Sequence, residues 1–319
     1  MILAVSGFMG CEIIGDEPLK RINTMLAALK IRMLAKRLPP AGQTVPNMPT
    51  EPITATLKFL ANLDQPLVYV PSKGGGDETD HVGNFTTHAV SIHDGREEKP
   101  SSSLDVEGFR LVPQATAVTD FFDDAQVETT YHKEIRALLT RITRARRVEI
   151  FDDTRRSASL ARQRLKKIRE PAEIVHNDYT ESSGVKRLRD CFAADPDEAE
   201  KLLQRRFAIV NVWRSVAGPV LNHPLVMCDA TTVRPADLVS MERRADERIG
   251  ELQVALHHPD QRWYYYPEMQ MDEALLFKTF DSATDGRARF TIHSSVVDPT
   301  APADAPPRES IETRCLVFF

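Results

Sequence analysis

Glu173-Ile174-Val175-His176-Asn177-Asp178-Tyr179 sets a histidine and an aspartate two residues apart at the end of an apolar run of β-type residues. On a strand, side chains i and i+2 share a face and their Cα atoms lie roughly 6–7 Å apart, so both can converge on one ion. By itself His-x-Asp is a weak signal, because it arises often by chance and equally describes a loop histidine beside a hydrogen-bonding aspartate. A third ligand has to come from elsewhere, and His293 is the candidate, since it ends the strand-like Arg289-Phe290-Thr291-Ile292. Two neutral imidazoles and one carboxylate on one side of an ion form the facial triad of non-haem Fe(II) oxygenases and leave positions open for cosubstrate and dioxygen.

Pro307-Arg308-Glu309-Ser310, with Arg308 fifteen residues beyond His293, strengthens the pattern. The cosubstrate 2-oxoglutarate presents a distal carboxylate that a guanidinium can bind bidentately, and a serine two residues on shares the face and can donate another hydrogen bond. The same alternation puts Glu312 and Arg314 on the Arg308 face and Ile311, Thr313, Cys315 and Val317 on the other. Either a bulge intervenes or Glu312 and Arg314 pair with each other near the barrel end, and Arg314 is a rival for the carboxylate clamp. Lys278, between Phe277 and Phe280, needs a carboxylate partner or solvent and is a candidate for holding 2-oxoglutarate or an acidic substrate. Asn211, Trp213, Arg214 and Tyr265 would line the substrate pocket if their strands face inward, with core packing the alternative for Trp213 and Tyr264 to Tyr266.

Other polar clusters read as structural. His257 and His258 are adjacent, point to opposite faces of a strand and cannot easily share an ion. His81, His88, His93, His132 and His223 read as surface or core-rim residues, and Asp152-Asp153 as capping before a basic segment, Arg155 to Arg169, that reads as a solvated charged face.

Around these motifs the chain has 319 residues, 42% hydrophobic and 27% charged, which is ordinary globular composition and enough for one sizeable core. A net charge of −5 and a pI near 6.0 give no electrostatic reason to expect a nucleic-acid partner, so a small-molecule substrate fits better. Cys11, Cys191, Cys228 and Cys315 are scattered with no C-x-x-C pair and read as reduced thiols of a cytoplasmic protein. No run of 18 apolar residues exists, so no membrane-spanning helix is expected. Oligomeric state is left open.

Strands are expected at Leu67 to Val70, Thr86 to His93, Gly108 to Val112, Arg146 to Asp152, Phe207 to Trp213, Leu225 to Asp229, Arg262 to Tyr266, Ala274 to Phe280, Ala288 to His293 and Ile311 to Phe319. Helices are expected at Ala125 to Arg141 and Asp197 to Arg205. Many strands after a few helices predict an α+β protein with a β-sandwich or jelly-roll core.

Four blocks resemble a known family. Val175-His176-Asn177-Asp178-Tyr179-Thr180, Arg206-Phe207-Ala208-Ile209-Val210-Asn211-Val212-Trp213-Arg214, Arg262-Trp263-Tyr264-Tyr265-Tyr266 and Asp304-Ala305-Pro306-Pro307-Arg308-Glu309-Ser310-Ile311-Glu312 look like the fungal gibberellin desaturase-like group. That group includes the hydroxylase/desaturase of aspergillic acid biosynthesis and is similar to the bacterial cephamycin methoxylation component. The similarity spans about Leu57 to Phe318. It implies an oxygenase of secondary metabolism on a cupin-like double-stranded β-helix with flanking helices, using Fe(II), 2-oxoglutarate and dioxygen, with ascorbate as reductant in vitro. Asp153, where such proteins often have His, and Ser215, where Pro is frequent, depart from the pattern without touching the expected ligands.

Because the similarity begins only after Met48, residues 1–47 are expected to be an extension whose membership of the native protein is left open, and residues 48–319 a single oxygenase domain. The outcome, hydroxylation or desaturation, is not chosen by the sequence. A metal-binding cupin-like protein without oxidation and a zinc hydrolase on the same ligands are the rivals, and neither needs a buried Arg-x-Ser clamp.

Overall fold

A computed structural model describes residues 51–98, 101–245 and 248–319. The expected extension over residues 1–47 lies outside them. The described chain begins with β1 (Ile53–Leu60), β2 (Val68–Val70), β3 (Asp80–Val82), β4 (Phe85–Asp94) and β5 (Phe109–Pro113). A short turn at Asp124–Gln126 and a wide π-type turn at Val127–Tyr131 lead into α1 (His132–Thr143). Then come β6 (Arg147–Ser157), α2 (Leu160–Lys166), β7 (His176–Asn177), α3 (Glu181–Cys191) and α4 (Pro196–Leu203). Strands fill the remainder: β8 (Phe207–Ser215), β9 (Leu225–Cys228), β10 (Leu238–Ala245), β11 (Arg248–Ala255), β12 (Trp263–Tyr265), β13 (Glu273–Asp281), β14 (His293–Ser295) and β15 (Glu309–Phe318).

They form two sheets in an α+β arrangement. The larger runs β1-β4-β12-β9-β14-β7-β11-β10-β2-β3 and the smaller β5-β13-β8-β15-β6. The helix expected near Ala125 to Arg141 exists and does what its periodicity implies. Asp123 caps its start by accepting from the Ala125 and Gln126 amides, and Ile135, Leu138 and Leu139 are buried. With Val127 and Tyr131 they cover one face of the smaller sheet, against Val210, Val212, Leu276, Ile311, Cys315 and Val317. Each such side chain taken from water contributes on the order of 1.5–3 kcal/mol.

That packing fixes which way β15 faces. Ile311, Cys315 and Val317 look at α1, leaving Ser310, Glu312 and Arg314 on the opposite face, as the alternation requires. A bulge does interrupt the β15–β6 ladder, between Arg314 and Cys315.

Several elements differ from expectation. Ala288 to Ile292 is not strand, because its backbone serves loop partners such as Asp105, whose carbonyl accepts from the Ala288 amide; the strand begins at His293 instead of ending there. The stretch before His176 is a strand only at His176–Asn177, although the Val175 amide bonds to the Lys58 carbonyl beside it. α3 was not foreseen. It opens with a capping box in which Thr180 and Ser183 exchange hydrogen bonds, and Gly184 lets it lie on the Phe280 ring, where any Cβ would clash. Among the described residues no helix is long and apolar enough to cross a membrane.

Candidate metal centre

β7 and β14 are antiparallel neighbours, and His176 stands directly opposite His293 in their register. Cross-strand partners project from the same face at close range, so the two rings meet with centroids 4.4 Å apart. The chain bends just after Asn177, and Asp178 joins them: one ligand atom from each of His176, Asp178 and His293 lies within 4.8 Å of the others.

Backbone carbonyls orient both imidazoles. His176 Nδ1–H donates to the Ile174 carbonyl at 2.7 Å and His293 Nδ1–H to the Thr291 carbonyl at 3.0 Å, each two residues upstream. That fixes the tautomer and leaves each Nε2 lone pair toward the shared point. Burial, with the neighbouring His176, pushes His293 down to about 3, so its ring is neutral near pH 7, as a ligand must be.

Asp178 is supported from the other side. Its Oδ2 accepts from Asn211 Nδ2 at 2.7 Å and from Arg314 Nε at 3.2 Å, while Oδ1 lies 3.6 Å from His176 Nε2. Burial alone would raise this carboxyl, but the Arg314 charge and the His176 hydrogen bond outweigh it and hold the group well below the ordinary carboxylate range. Arg314 in turn meets Asp152, Glu312 and the Thr154 hydroxyl, the last at 2.8 Å. Its surrounding carboxylates hold it charged against burial, whereas burial raises the carboxyl of Glu312.

Arg308 is a different kind of arginine. It is 4% exposed, and its Nη1 donates to the His223 carbonyl at 2.9 Å and to Ser295 Oγ at 3.5 Å, with the guanidinium 5.5 Å from the Trp213 ring. It has no carboxylate partner among the described residues, its Nε has no partner at all, and burial pushes it down to about 9. Ser295 lies two residues beyond His293 on β14, which ties this guanidinium to the strand carrying the third candidate ligand. Ser310 is buried two residues along from Arg308.

The other sequence candidates divide. Asn211 reaches the centre, but through Asp178. Trp213 packs under Arg308 and inside an apolar cluster with Phe277 and Met227. Tyr265 sits in a separate cluster with Ile92, Trp263 and Val226, and alternation along β12 turns it away from Tyr264, which is in the cluster with Trp213. Arg214 faces α1, over Phe121 and Tyr131, because residues next to each other on β8 point oppositely. Lys278 has all three donors committed, to Asp105 and Asp281 at 2.8 Å each and to the Ala288 carbonyl at 3.0 Å. Lys278, Arg214 and Tyr265 are therefore withdrawn as pocket residues.

A cavity of about 1030 Å³ opens on His176, Asp178 and Arg314. Its wall contains Arg155, Arg156 and Arg169, so the basic segment expected to be a solvated face lines the cavity. Asp152 and Asp153 are not caps. Asp152 serves Arg314, while Asp153, on the other face of β6, accepts from Thr313 and lies 2.6 Å from His132 Nε2. Tyr69 and Arg243, which no sequence motif marks, also line the cavity from β2 and β10. Arg243 lies on a strand that gave no alternation to notice.

Two imidazole nitrogens with tied tautomers and one supported carboxylate are a donor set suited to Fe(II), and a buried guanidinium with a nitrogen left over suits a dicarboxylate. A family model described as an oxidoreductase/YMDC permease-like domain matches residues 57–318. The chain is 34% identical to the Fe(II)/2-oxoglutarate-dependent dioxygenase nvfI of Aspergillus novofumigatus, over 74% of this chain and 84% of that protein. It is also 34% identical to the hydroxylase/desaturase CTB9 of Cercospora beticola, over 77% and 83%. Among solved structures it resembles the iron and alpha-ketoglutarate-dependent endoperoxidase NvfI, with TM-score 0.72 and 30% identity over 84% of this chain and 98% of that one.

Proposed function

Because the chain belongs to the family of Fe(II)/2-oxoglutarate-dependent dioxygenases and hydroxylase/desaturases of fungal secondary metabolism, we propose that His176, Asp178 and His293 hold its iron and Arg308 the distal carboxylate of 2-oxoglutarate. The observation that carries this is the cross-strand register of His176 and His293, which gathers three ligand atoms within 4.8 Å with both Nδ1 groups already tied to carbonyls. The protein is an oxidoreductase that requires Fe(II), 2-oxoglutarate and dioxygen, and its relatives do not favour a non-oxidative cupin or a zinc hydrolase.

Bound iron and 2-oxoglutarate supply the oxidising chemistry, in which the keto acid and dioxygen give succinate and CO2 and a substrate C–H bond is broken to yield an alcohol or an alkene. The chain's residues prepare for it. Arg314 and Asn211 keep Asp178 ionised and pointed at the metal, and the Ile174 and Thr291 carbonyls hold the imidazoles in the ligand tautomer. Arg308, whose remaining partners are a carbonyl and a hydroxyl, offers its Nε and fork to the far carboxylate, with Ser310 and Ser295 beside it. Burial around Arg308 and Trp213 excludes water from that end. Arg314 is less suited to the clamp because its donors already serve three carboxylates and a hydroxyl.

The reading extends to a double-stranded β-helix core within one domain over residues 48–319 and to a cytoplasmic enzyme acting on a small molecule rather than nucleic acid or membrane. Two largely antiparallel sheets and three free cysteines among the described residues support it. The test is anaerobic: Fe(II) and 2-oxoglutarate together should give a visible charge-transfer band, lost in His176→Ala and His293→Ala. A band that survives either change would refute the ligand set. Slow turnover of 2-oxoglutarate to succinate with ascorbate, without substrate, is the second readout.

A further inference from the structure

The cavity beside the metal centre has a charge distribution that the iron and cosubstrate do not explain. Arg156, Arg169 and Arg243 converge on its wall from three parts of the chain. Arg156 is on the β6 face that carries Asp152 and Thr154, and an isolated bridge pairs its backbone with that of Arg169 in the loop after α2. Arg243 comes from β10, alongside Tyr69 on β2 and opposite Gly250 on β11, so no side chain faces it from β11. All three are half-buried.

None of them has a carboxylate. Arg156 donates only to the Glu170 carbonyl at 2.8 Å, and the guanidinium groups of Arg169 and Arg243 make no hydrogen bond or ion pair among the described residues. Two of the acids in the same wall are turned to other partners: Glu170 accepts from Ser72 and Thr79 hydroxyls at 2.8 and 2.5 Å, Glu251 from Thr180 and Ser182 at 2.8 and 2.5 Å. Burial lowers both Arg169 and Arg243, and the positive charges of Arg156, Arg243 and Arg314 lower Arg169 further. Like charges gathered in a partly dry wall with none of them in an ion pair are costly unless an anion joins them. Next to them the wall is apolar, with Tyr69, Ile174, Leu252 and Val254.

We propose that the substrate of this oxygenase is a largely apolar small molecule bearing a carboxylate, which Arg169 and Arg243 bind with Arg156 beside them, while its skeleton lies on Tyr69, Ile174, Leu252 and Val254. The inference rests on the iron and 2-oxoglutarate reading above for the identity of the cavity as the substrate site. A cavity of about 1030 Å³ accommodates such a molecule together with water. The anchored carboxylate fixes which carbon faces the metal, so these arginines act as specificity-determining residues.

The experiment uses the Fe(II)- and 2-oxoglutarate-loaded protein without dioxygen, with dodecanoate and its methyl ester as a matched anionic and neutral pair, each titrated calorimetrically. The acid is expected to bind at least about tenfold more tightly than the ester, as one charge-assisted pair requires. Arg169→Gln with Arg243→Gln should erase that preference, and Arg169→Lys with Arg243→Lys should keep part of it, while 2-oxoglutarate affinity stays within about twofold in both. Absence of an acid preference in the wild type, whether both probes bind or neither does, overturns the proposal. So does a preference that survives the glutamine pair, or a large loss of 2-oxoglutarate affinity, which would assign the cluster to the cosubstrate. The charge-transfer band is recorded first: its absence sinks the oxygenase reading alone, and its presence without an acid preference sinks only this inference.

Discussion

Two arginines six residues apart, Arg308 just before β15 and Arg314 within it, have opposite surroundings. Arg314 touches three carboxylates, those of Asp152, Asp178 and Glu312. Arg308, more deeply buried, has a carbonyl, a weakly placed hydroxyl and an aromatic face, with Nε unpartnered. A buried guanidinium that is fully neutralised belongs to the framework, whereas one that is not is a receptor for something absent from the chain, because leaving a buried charge unpaired is expensive. Changes at the two arginines should therefore fail in different ways, and changes at the ion between them should fail completely.

The largest effect is expected at that ion. Asp178→Ala removes the proposed anionic ligand and one of the three carboxylates of Arg314, and should abolish both the charge-transfer band and succinate formation. Residual Fe(II) binding of wild-type strength, measured by equilibrium dialysis, would show that the carboxylate is not a ligand.

Lys278 sharpens the distinction between a framework charge and a receptor charge. It sits with Asp281 in the interior, and Lys278→Ala leaves Asp281, fully buried, with Arg206 at the edge as its one remaining charged partner among the described residues, beside the Ala283 amide. Removing one partner of a buried pair costs about 3–5 kcal/mol, to be read in urea unfolding, with 2-oxoglutarate affinity unchanged once the variant is folded. Burial would raise Asp281, but Arg206 and Lys278 outweigh it and lower the group from its ordinary 3.8. Its contribution is thus fully present above that value and lost as pH falls through the lower folded value, so wild-type stability should drop below about pH 4, and less steeply in the variant.

Arg308→Gln should weaken 2-oxoglutarate by roughly a hundredfold, the loss of a bidentate charged pair, while Fe(II) affinity stays within about twofold. Arg314→Gln should do the reverse, loosening iron and lowering stability with a smaller effect on the cosubstrate. Equal effects of the two changes on both ligands would erase the comparison.

What could be seen in the sequence follows the same division. The facing of Glu312 and Arg314 was legible because a period of two is a local property, and α1 because its apolar spacing is, whereas Asp178 comes beside His176 through a bend that strand alternation does not describe. The opposition of His176 and His293 was not legible either, since register between strands distant in sequence is set by the whole sheet. β8 is buried at every position, so no alternation tells which of Asn211, Trp213 and Arg214 looks inward; only the position of α1 over Val210 and Val212 decides it, and Arg214 lands on the wrong side. Lys278 was suspected for a sound reason, that a lysine in an apolar strand needs an acid, but its partners come from a loop and from its own strand end. The β10–β11 pair and α3 were hidden by charged residues whose aliphatic parts do the covering.

The smallest effect, and the finest test of the comparison, is at Asn211. It touches neither metal nor cosubstrate, and its amide donates to the Asp178 oxygen turned away from His176. Outer partners of a ligand commonly account for about 10–100-fold in metal affinity, and Arg314 shares the task at the same oxygen, so Asn211→Ala should cost near the lower limit, about tenfold in Fe(II) affinity. Because the amide holds Asp178 by geometry and Arg314 holds it by charge, Asn211→Ala should be insensitive to salt, whereas the Arg314→Gln defect should change with ionic strength only weakly, given its burial. If Asn211→Ala instead raised the Kd for 2-oxoglutarate and left iron untouched, the amide would belong with Arg308, and the boundary drawn between Arg308 and Arg314 would have to move.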